Sequence, residues 1–318
     1  MANNSKYLID NKYFSSIDTQ EKAYFLGLLY ADGCVSQLPR HTVSISLKAT
    51  DSSILEAMKI ALKSEHPIKY YECRGGQYTH FTFNDTLIHR DLIKHGCVPA
   101  KSKILLFPET LLINDKLLSS FIAGYFDGDG SIVLSNSKTQ HKNRIKQTNI
   151  TRIDCGITSS KLFINKLKEI LEQRLNIKCG IKIPHANKQD GNTLTLTING
   201  AKQIQTFLDY IYKNQPVKME RKYNTYLKLC EYTLYQQSKH CLVCSKKEYA
   251  DGLCQRHYKL KITGKTIDKC IICFNTSISQ VVNLCKKHFD SYTYYNKQNK
   301  EQEFLNKNNI TKQDLIKL

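Results

Sequence analysis

Two copies of one short pattern constrain this chain more than any other feature: Phe25-Leu26-Gly27-Leu28-Leu29-Tyr30-Ala31-Asp32-Gly33 and Ile122-Ala123-Gly124-Tyr125-Phe126-Asp127-Gly128-Asp129-Gly130. Each is an apolar helical run that stops at Asp-Gly and leads into a strand-like stretch. The small pairs Gly27/Ala31 and Gly124/Gly128 are spaced four apart and so share one helix face. With no bulky side chain there, two such helices can pack backbone against backbone. That contact brings Asp32 and Asp129 side by side at the end of the pair. Two adjacent carboxylates that must both stay ionised call for a hard divalent cation between them.

Charge separates this chain from an ordinary globular protein of its length. Of 318 residues, 47 are Lys or Arg and 28 are Asp or Glu, a formal net charge of +19. Such a surplus points to a polyanionic partner, nucleic acid first among them. A generally Lys/Asn/Ile-rich composition inherited from an AT-rich genome gives the same arithmetic. No apolar run reaches the roughly 18 residues of a membrane span, and the start, Met1-Ala2-Asn3-Asn4-Ser5-Lys6-Tyr7, lacks the apolar stretch of a secretion signal. The 12 cysteines therefore read as reduced thiols in an intracellular compartment, cytoplasm or nucleus/nucleoid.

Periodicity divides the first 236 residues into two similar halves, about 1–112 and 113–236. In the first, Thr42 to Lys48 alternates strictly, with Val43, Ile45 and Leu47 facing a core and Thr42, Ser44, Ser46 and Lys48 facing outward. A helix near Asp51–Leu62, strands near Ile68–Cys73 and Tyr78–Phe83, and a helix near Leu87–His95 follow. The second half repeats the order: strands at Ser131–Leu134 and Thr151–Ile157, a helix at Lys161–Leu175, strands at Cys179–Ile183 and Thr193–Ile198, and a helix at Gln203–Tyr212. The fold class expected is α+β, a duplicated αββαββα core whose two antiparallel sheets keep helices behind and an open face in front. Outward Ser44, Ser46, Lys48, Lys69, Thr195 and Thr197 can then meet base edges, while Lys138, Lys142, Arg144 and Lys146 of the loop Ser135–Asn149 grip phosphates. Ordinary solvated strand faces are the plainer reading.

The duplicated pattern resembles the LAGLIDADG homing endonucleases of the single-chain type, in which two motif copies occur in one polypeptide; the likeness runs through about Tyr235. It implies a protein that cuts double-stranded DNA as a monomer, with Asp32 and Asp129 holding the catalytic metal, Mg²⁺ being the ion that an all-oxygen site suits. Backbone carbonyls at Ala31 and Gly128 would help. A lysine near each half of the site is expected from the family, and the sequence leaves the choice open. Lys101 and Lys103 lie before Phe107-Pro108; Lys218 and Lys222 occupy the matching stretch of the second half; Lys69 and Lys182 form a rival pair at equivalent strand positions. Tyr30 departs from the family, standing where an acid is common, at a position that does not bind metal. Splicing chemistry is not expected, because an intein begins with Cys or Ser and ends in His-Asn, whereas Met1 and Leu318 bound this chain.

A second module is expected at 237–295. Cys241-x-x-Cys244 with Cys254-x-x-His257 is repeated as Cys270-x-x-Cys273 with Cys285-x-x-His288. Each Cys₃His set suits one tetrahedral Zn²⁺, so two structural ions are expected. Segments this short cannot fold on apolar burial alone. From Ser238 to Lys300 there are 12 Lys and Arg against 4 Asp and Glu, so this zinc-finger-like module most simply extends a DNA footprint; protein contact is the alternative. The tail 296–318 is polar, with one helix candidate near Lys312–Leu318. The leading expectation is thus a site-specific, metal-dependent DNA endonuclease. A non-cutting RNA maturase or DNA-binding regulator on the same fold stands second, and a zinc-finger DNA-binding protein with a structural N-terminal domain third.

Overall fold

The helix pair at the centre forms because its contact faces carry almost no side chain. In the structure, a computed structural model that describes residues 7–73, 75–138, 149–184, 192–238, 246–250, 253–262, 284 and 286–312, α1 (Gln20–Ala31) and α4 (Asp115–Asp129) pack along their length. Thr19 caps α1 by accepting from the Lys22 amide, and Asn114 caps α4 through the Lys116 and Leu117 amides. A Cβ at Gly27 would lie 2.0 Å from the Phe121 carbonyl oxygen, and one at Gly124 would lie 1.9 Å from that of Tyr24. No side chain fits at either place. One turn further on, a Cβ at Gly128 would meet the Ala31 methyl at 2.3 Å.

Each half hangs one antiparallel sheet on this pair. The first runs β1-β2-β4-β3, from β1 (Gly33–Val35), β2 (Thr42–Lys48), β3 (Ile68–Cys73) and β4 (Gly76–Asn84). The second runs β5-β6-β8-β7, from β5 (Gly130–Lys138), β6 (Asn149–Ser160), β7 (Cys179–Lys182) and β8 (Thr193–Ile198). Registers match residue for residue: Gly33, Ile45, Phe81 and Ile68 stand in one row, and Gly130, Ile157, Leu196 and Ile181 in its counterpart. Val43, Ile45, Leu47, Phe81 and Phe83 are buried, as are Leu194, Leu196 and Ile198. Behind the first sheet lie α2 (Ser52–Ala61) and α3 (Thr86–Lys94); α5 (Lys161–Leu175) and α6 (Ala201–Tyr212) accompany the second. Burying each large side chain of this kind contributes about 1.5–3 kcal/mol, which is why strict alternation fixes the register.

Two elements exceed the sequence expectation. The β5–β6 hairpin extends to Lys138 and begins again at Asn149, well beyond Ser131–Leu134 and Thr151–Ile157. A further helix, α7 (Glu220–Ser238), ends the second half, beyond the last helix expected there.

The chain divides into compact units 1–231 and 232–318. The second holds α8 (Gln255–Ile262), α9 (Lys286–Lys297) and α10 (Glu301–Asn308). Its described core is Leu284, Phe304 and Leu305, against which Phe289, Tyr292, Tyr295 and Ile310 pack. The polar tail therefore contributes a helix with two core residues, upstream of the stretch where a helix was expected; residues 313–318 lie outside the described ones. No described helix is long and apolar enough to cross a membrane.

Candidate active site and sheet faces

Both motif aspartates sit where their helices stop. Asp32 follows α1 and donates its amide to the Leu28 carbonyl at 2.9 Å; Asp129 is the last residue of α4. Solvent reaches both carboxylates, but the surrounding protein strips part of their hydration. Asp32 is pushed up to about 6, first by this partial burial and then by the charge of Asp129. Asp129 is raised too, by burial, with the Tyr125 hydroxyl pulling it back down. The carboxylates are thus close enough to repel, and Gly128 adds no side chain between them: a Cβ there would lie 3.0 Å from Asp32 Oδ2. Paired oxygen donors open to solvent, still raised although the charges of Lys101 and Lys222 pull them down, fit a hard divalent ion. Among the described residues no group of three or more His, Cys, Asp and Glu converges, so a cation here would rest on two carboxylates, backbone and water.

Two of the candidate lysines reach this end of the helix pair, at equivalent points. Lys101 donates to the Gly33 carbonyl and Lys222 to that of Gly130 at 2.6 Å, each glycine directly following a motif aspartate. Lys222 is 4% exposed and also contacts the carbonyls of Phe126 (2.6 Å), Asp127 (2.7 Å) and Gly128 (3.3 Å). It closes the C-terminal turn of α4, where unpaired carbonyls favour a cation. Burial drives its pKa down to about 8 against the pull of Asp127. Its long contact to Gly128 leaves that carbonyl a second lone pair; no described contact marks Ala31 as a donor of its carbonyl. Lys103 is exposed on the short 3₁₀ turn that carries Lys101, and Lys218 stacks 3.9 Å from the ring of Tyr223. Lys69 and Lys182 stand outward and exposed at equivalent register positions, beside His80 and Thr195.

The sequence reading gave Asp127 no role, yet it is fully buried at the position of Tyr30. Its carboxylate accepts from Tyr24 (2.6 Å), Tyr212 (2.5 Å) and the Met219 amide (2.8 Å). Burial raises it to about 6 in spite of these donors. Arg221 then ties the same segment to Asp51, in the first half, at 3.1 Å. An acidic residue inside an otherwise apolar helical run was the available signal.

On the outward faces, Ser46 pairs with His80 at 2.8 Å, and Tyr71 stacks on Tyr78 with centroids 5.8 Å apart. Ser44 and Lys48 share this face. Thr195 and Thr197 share the other, Thr195 pairing with Thr158 at 2.9 Å. Lys138 ends β5; Lys142, Arg144 and Lys146 lie outside the described residues. Of the expected zinc ligands, Cys254 and His257 are buried with Sγ 3.5 Å from Nδ1, and His288 lies on α9. Cys241, Cys244, Cys270, Cys273 and Cys285 lie outside the described residues.

Residues 116–212 match the family described as the LAGLIDADG-like domain. No curated protein matches the chain. Among solved structures, the chain is similar to the I-LtrWI LAGLIDADG homing endonuclease bound to target DNA, at 13% identity and TM-score 0.47 over 70% of this chain and 93% of that one. It is also similar to meganuclease I-SmaMI bound to uncleaveable DNA, at 16% identity and TM-score 0.49 over 68% and 91%. I-SmaMI bound to cleaved DNA gives 17% identity and TM-score 0.47 over 68% and 90%.

Proposed function

We propose that this chain is a site-specific DNA endonuclease of the homing type, making double-strand breaks by divalent-metal-dependent phosphodiester hydrolysis. The observation that carries the reading is the convergence of Asp32 and Asp129 at the end of a side-chain-free helix contact, between two polar sheet faces. The LAGLIDADG-like match over 116–212 and the net charge of +19 support it. Both carboxylates come from one chain, so a monomer suffices to cut duplex DNA.

Asp32 and Asp129 would hold the cation. Mg²⁺ suits their all-oxygen chemistry and, when bound, supplies neutralising charge at the phosphate and a more acidic water. The protein's own share is positioning and charge. Lys222 fixes the end of α4 through its carbonyl contacts, and Lys101 does the same beside Asp32. Their ammonium groups also lend positive potential where phosphates approach. Outward residues of both sheets would fix register on the duplex. Residues 237–295 would bind two structural Zn²⁺ through the two Cys₃His sets and lengthen the footprint, with 1–236 as the cutting core.

The test is a cleavage-site selection on random duplex with Mg²⁺, followed by Asp32→Asn and Asp129→Asn on the selected target. Cutting should vanish or fall to nicking while affinity stays nearly constant, since phosphate contacts dominate binding. Full double-strand cutting by either variant defeats the assignment. Tight RNA or DNA binding with no cutting by the wild type would favour the maturase or regulator reading. Elemental analysis of reduced protein should find two zinc ions. Truncation after Gln237 should still cut, with weaker binding and a shallower salt slope.

A further inference from the structure

The two sheets differ in the row just beyond the motif aspartates. In the first, Cys34, Ser44 and Thr82 stand abreast, and the Thr82 hydroxyl donates to the Val43 carbonyl at 3.4 Å. In the second, the equivalent row is Ser131, Gly156, Thr197 and Gly180. Thr197 thus has glycine on both sides, where the first half has Ser44 and, next to Ile68, Pro67. Its Oγ1 is buried and has no hydrogen-bond partner among the described residues. The neighbouring Thr195 hydroxyl is paired with Thr158. A Cβ on Gly180 would lie 2.8 Å from Thr197 Oγ1, so any side chain there would close the space around that hydroxyl.

An unmade hydrogen bond beside two missing side chains is a notch with a polar floor. Rotation about the Thr197 Cα–Cβ bond can bring either its hydroxyl or its methyl to the notch, so the floor can turn either group outward. Among base edges in the major groove only thymine carries a protruding apolar group, its C5 methyl, next to an acceptor, O4. We infer that the Gly156–Thr197–Gly180 notch is a specificity determinant for one thymine in the half-site under the second sheet. The methyl enters between the glycines and Thr197 donates to O4. This rests on the endonuclease reading above and deepens it.

The experiment uses the full chain and a duplex selected from random sequence, with each thymine of the target replaced singly by deoxyuridine, which lacks only the methyl, and by 5-methylcytosine paired with guanine, which keeps the methyl and replaces O4 with a donor. Wild type should lose roughly fivefold in binding at one second-half thymine on methyl removal, and at least as much with 5-methylcytosine. Thr197→Val should become indifferent to 5-methylcytosine there while keeping the methyl preference and binding at other positions; Thr197→Ser should restore the O4 preference. Gly180→Ala should abolish methyl sensitivity at that same base pair. No thymine with this sensitivity in the second half-site, or a Thr197→Val profile identical to wild type, overturns the inference and leaves the endonuclease reading standing. A uniform loss across all positions in Thr197→Val reduces Thr197 to a structural residue and overturns it as well. If wild type selects no duplex at all, the endonuclease reading itself fails and takes the notch with it.

Discussion

The two motif helices follow one pattern and solve one problem differently. At the position two residues before the motif aspartate, α1 carries Tyr30 and α4 carries Asp127. Tyr30 is buried and donates its hydroxyl to the His95 carbonyl, at the end of α3. Asp127 accepts three donors, from Tyr24 of the opposite helix, Tyr212 at the end of α6, and the Met219 amide. The lysines differ likewise: Lys101 is half-buried on one carbonyl, and Lys222 is buried on four. In the first half a phenol closes a local gap. In the second a buried carboxylate gathers α1, α6 and the approach to α7 around one atom pair. The second copy is therefore the structural keystone, and the first is the more replaceable.

Both halves share the side-chain-free contact, and breaking it should have the largest effect. Gly124→Ala would force a methyl to 1.9 Å from the Tyr24 carbonyl oxygen. Backbone on both sides cannot yield as a flexible side chain can, so a loss of about 4 kcal/mol or more is expected. Circular dichroism melts should show no cooperative native transition, or one far below wild type. A variant melting within a few degrees of wild type would mean that the helices do not touch there.

Next in size is the direct comparison of the two copies. Asp127→Ala leaves the hydroxyls of Tyr24 and Tyr212 and the Met219 N–H buried without their acceptor, and should cost about 3–5 kcal/mol. Tyr30→Phe removes one donor from one carbonyl and should cost about 1 kcal/mol. Urea denaturation of the two variants separates them; equal losses would refute the asymmetry.

How much of this could be read beforehand follows from the range of the interactions. The alternation in Thr42–Lys48 and Thr193–Ile198 is local, and one buried face leaves only one register, so those strands and their inward residues were legible. So were the paired small residues, because Gly27/Ala31 and Gly124/Gly128 carry their spacing in plain view. The Asp127 cluster was not. Its partners lie 103, 85 and 92 residues away, and nothing at Tyr24, Tyr212 or Met219 marks them as donors. The lysine choice was ambiguous for the opposite reason: in so basic a chain spacing offers too many candidates, and no spacing shows that Lys101 and Lys222 reach the Gly33 and Gly130 carbonyls. In the tail, Phe304 and Leu305 are two apolar residues among Lys, Asn and Gln, too few to announce that α10 completes a core.

The smallest effect tests whether the two motif aspartates are equivalent. Asp32 is raised to about 6 in the folded chain by partial burial and by Asp129, against about 3.9 for an unfolded aspartate. Below about pH 4 both states hold the proton and the repulsion costs nothing. As pH rises from about 4 to 6 the unfolded chain releases its proton first, so stability falls across that window and stays reduced above it. Asp32→Asn removes the effect. In EDTA its gain over wild type should be absent at pH 4 and complete by pH 7. The full shift corresponds to about 3 kcal/mol, but both carboxylates meet solvent, and screening there reduces the expected gain to about 1 kcal/mol. Asp129→Asn takes away the repulsion on Asp32 but also the stabilising pull of the nearby Tyr125 hydroxyl on the carboxylate, so its gain should be the smaller of the two. Mg²⁺ should erase both differences by stabilising only the chain that keeps the pair. A gain that ignores pH, or one that Mg²⁺ leaves unchanged, would mean the carboxylates do not share a site.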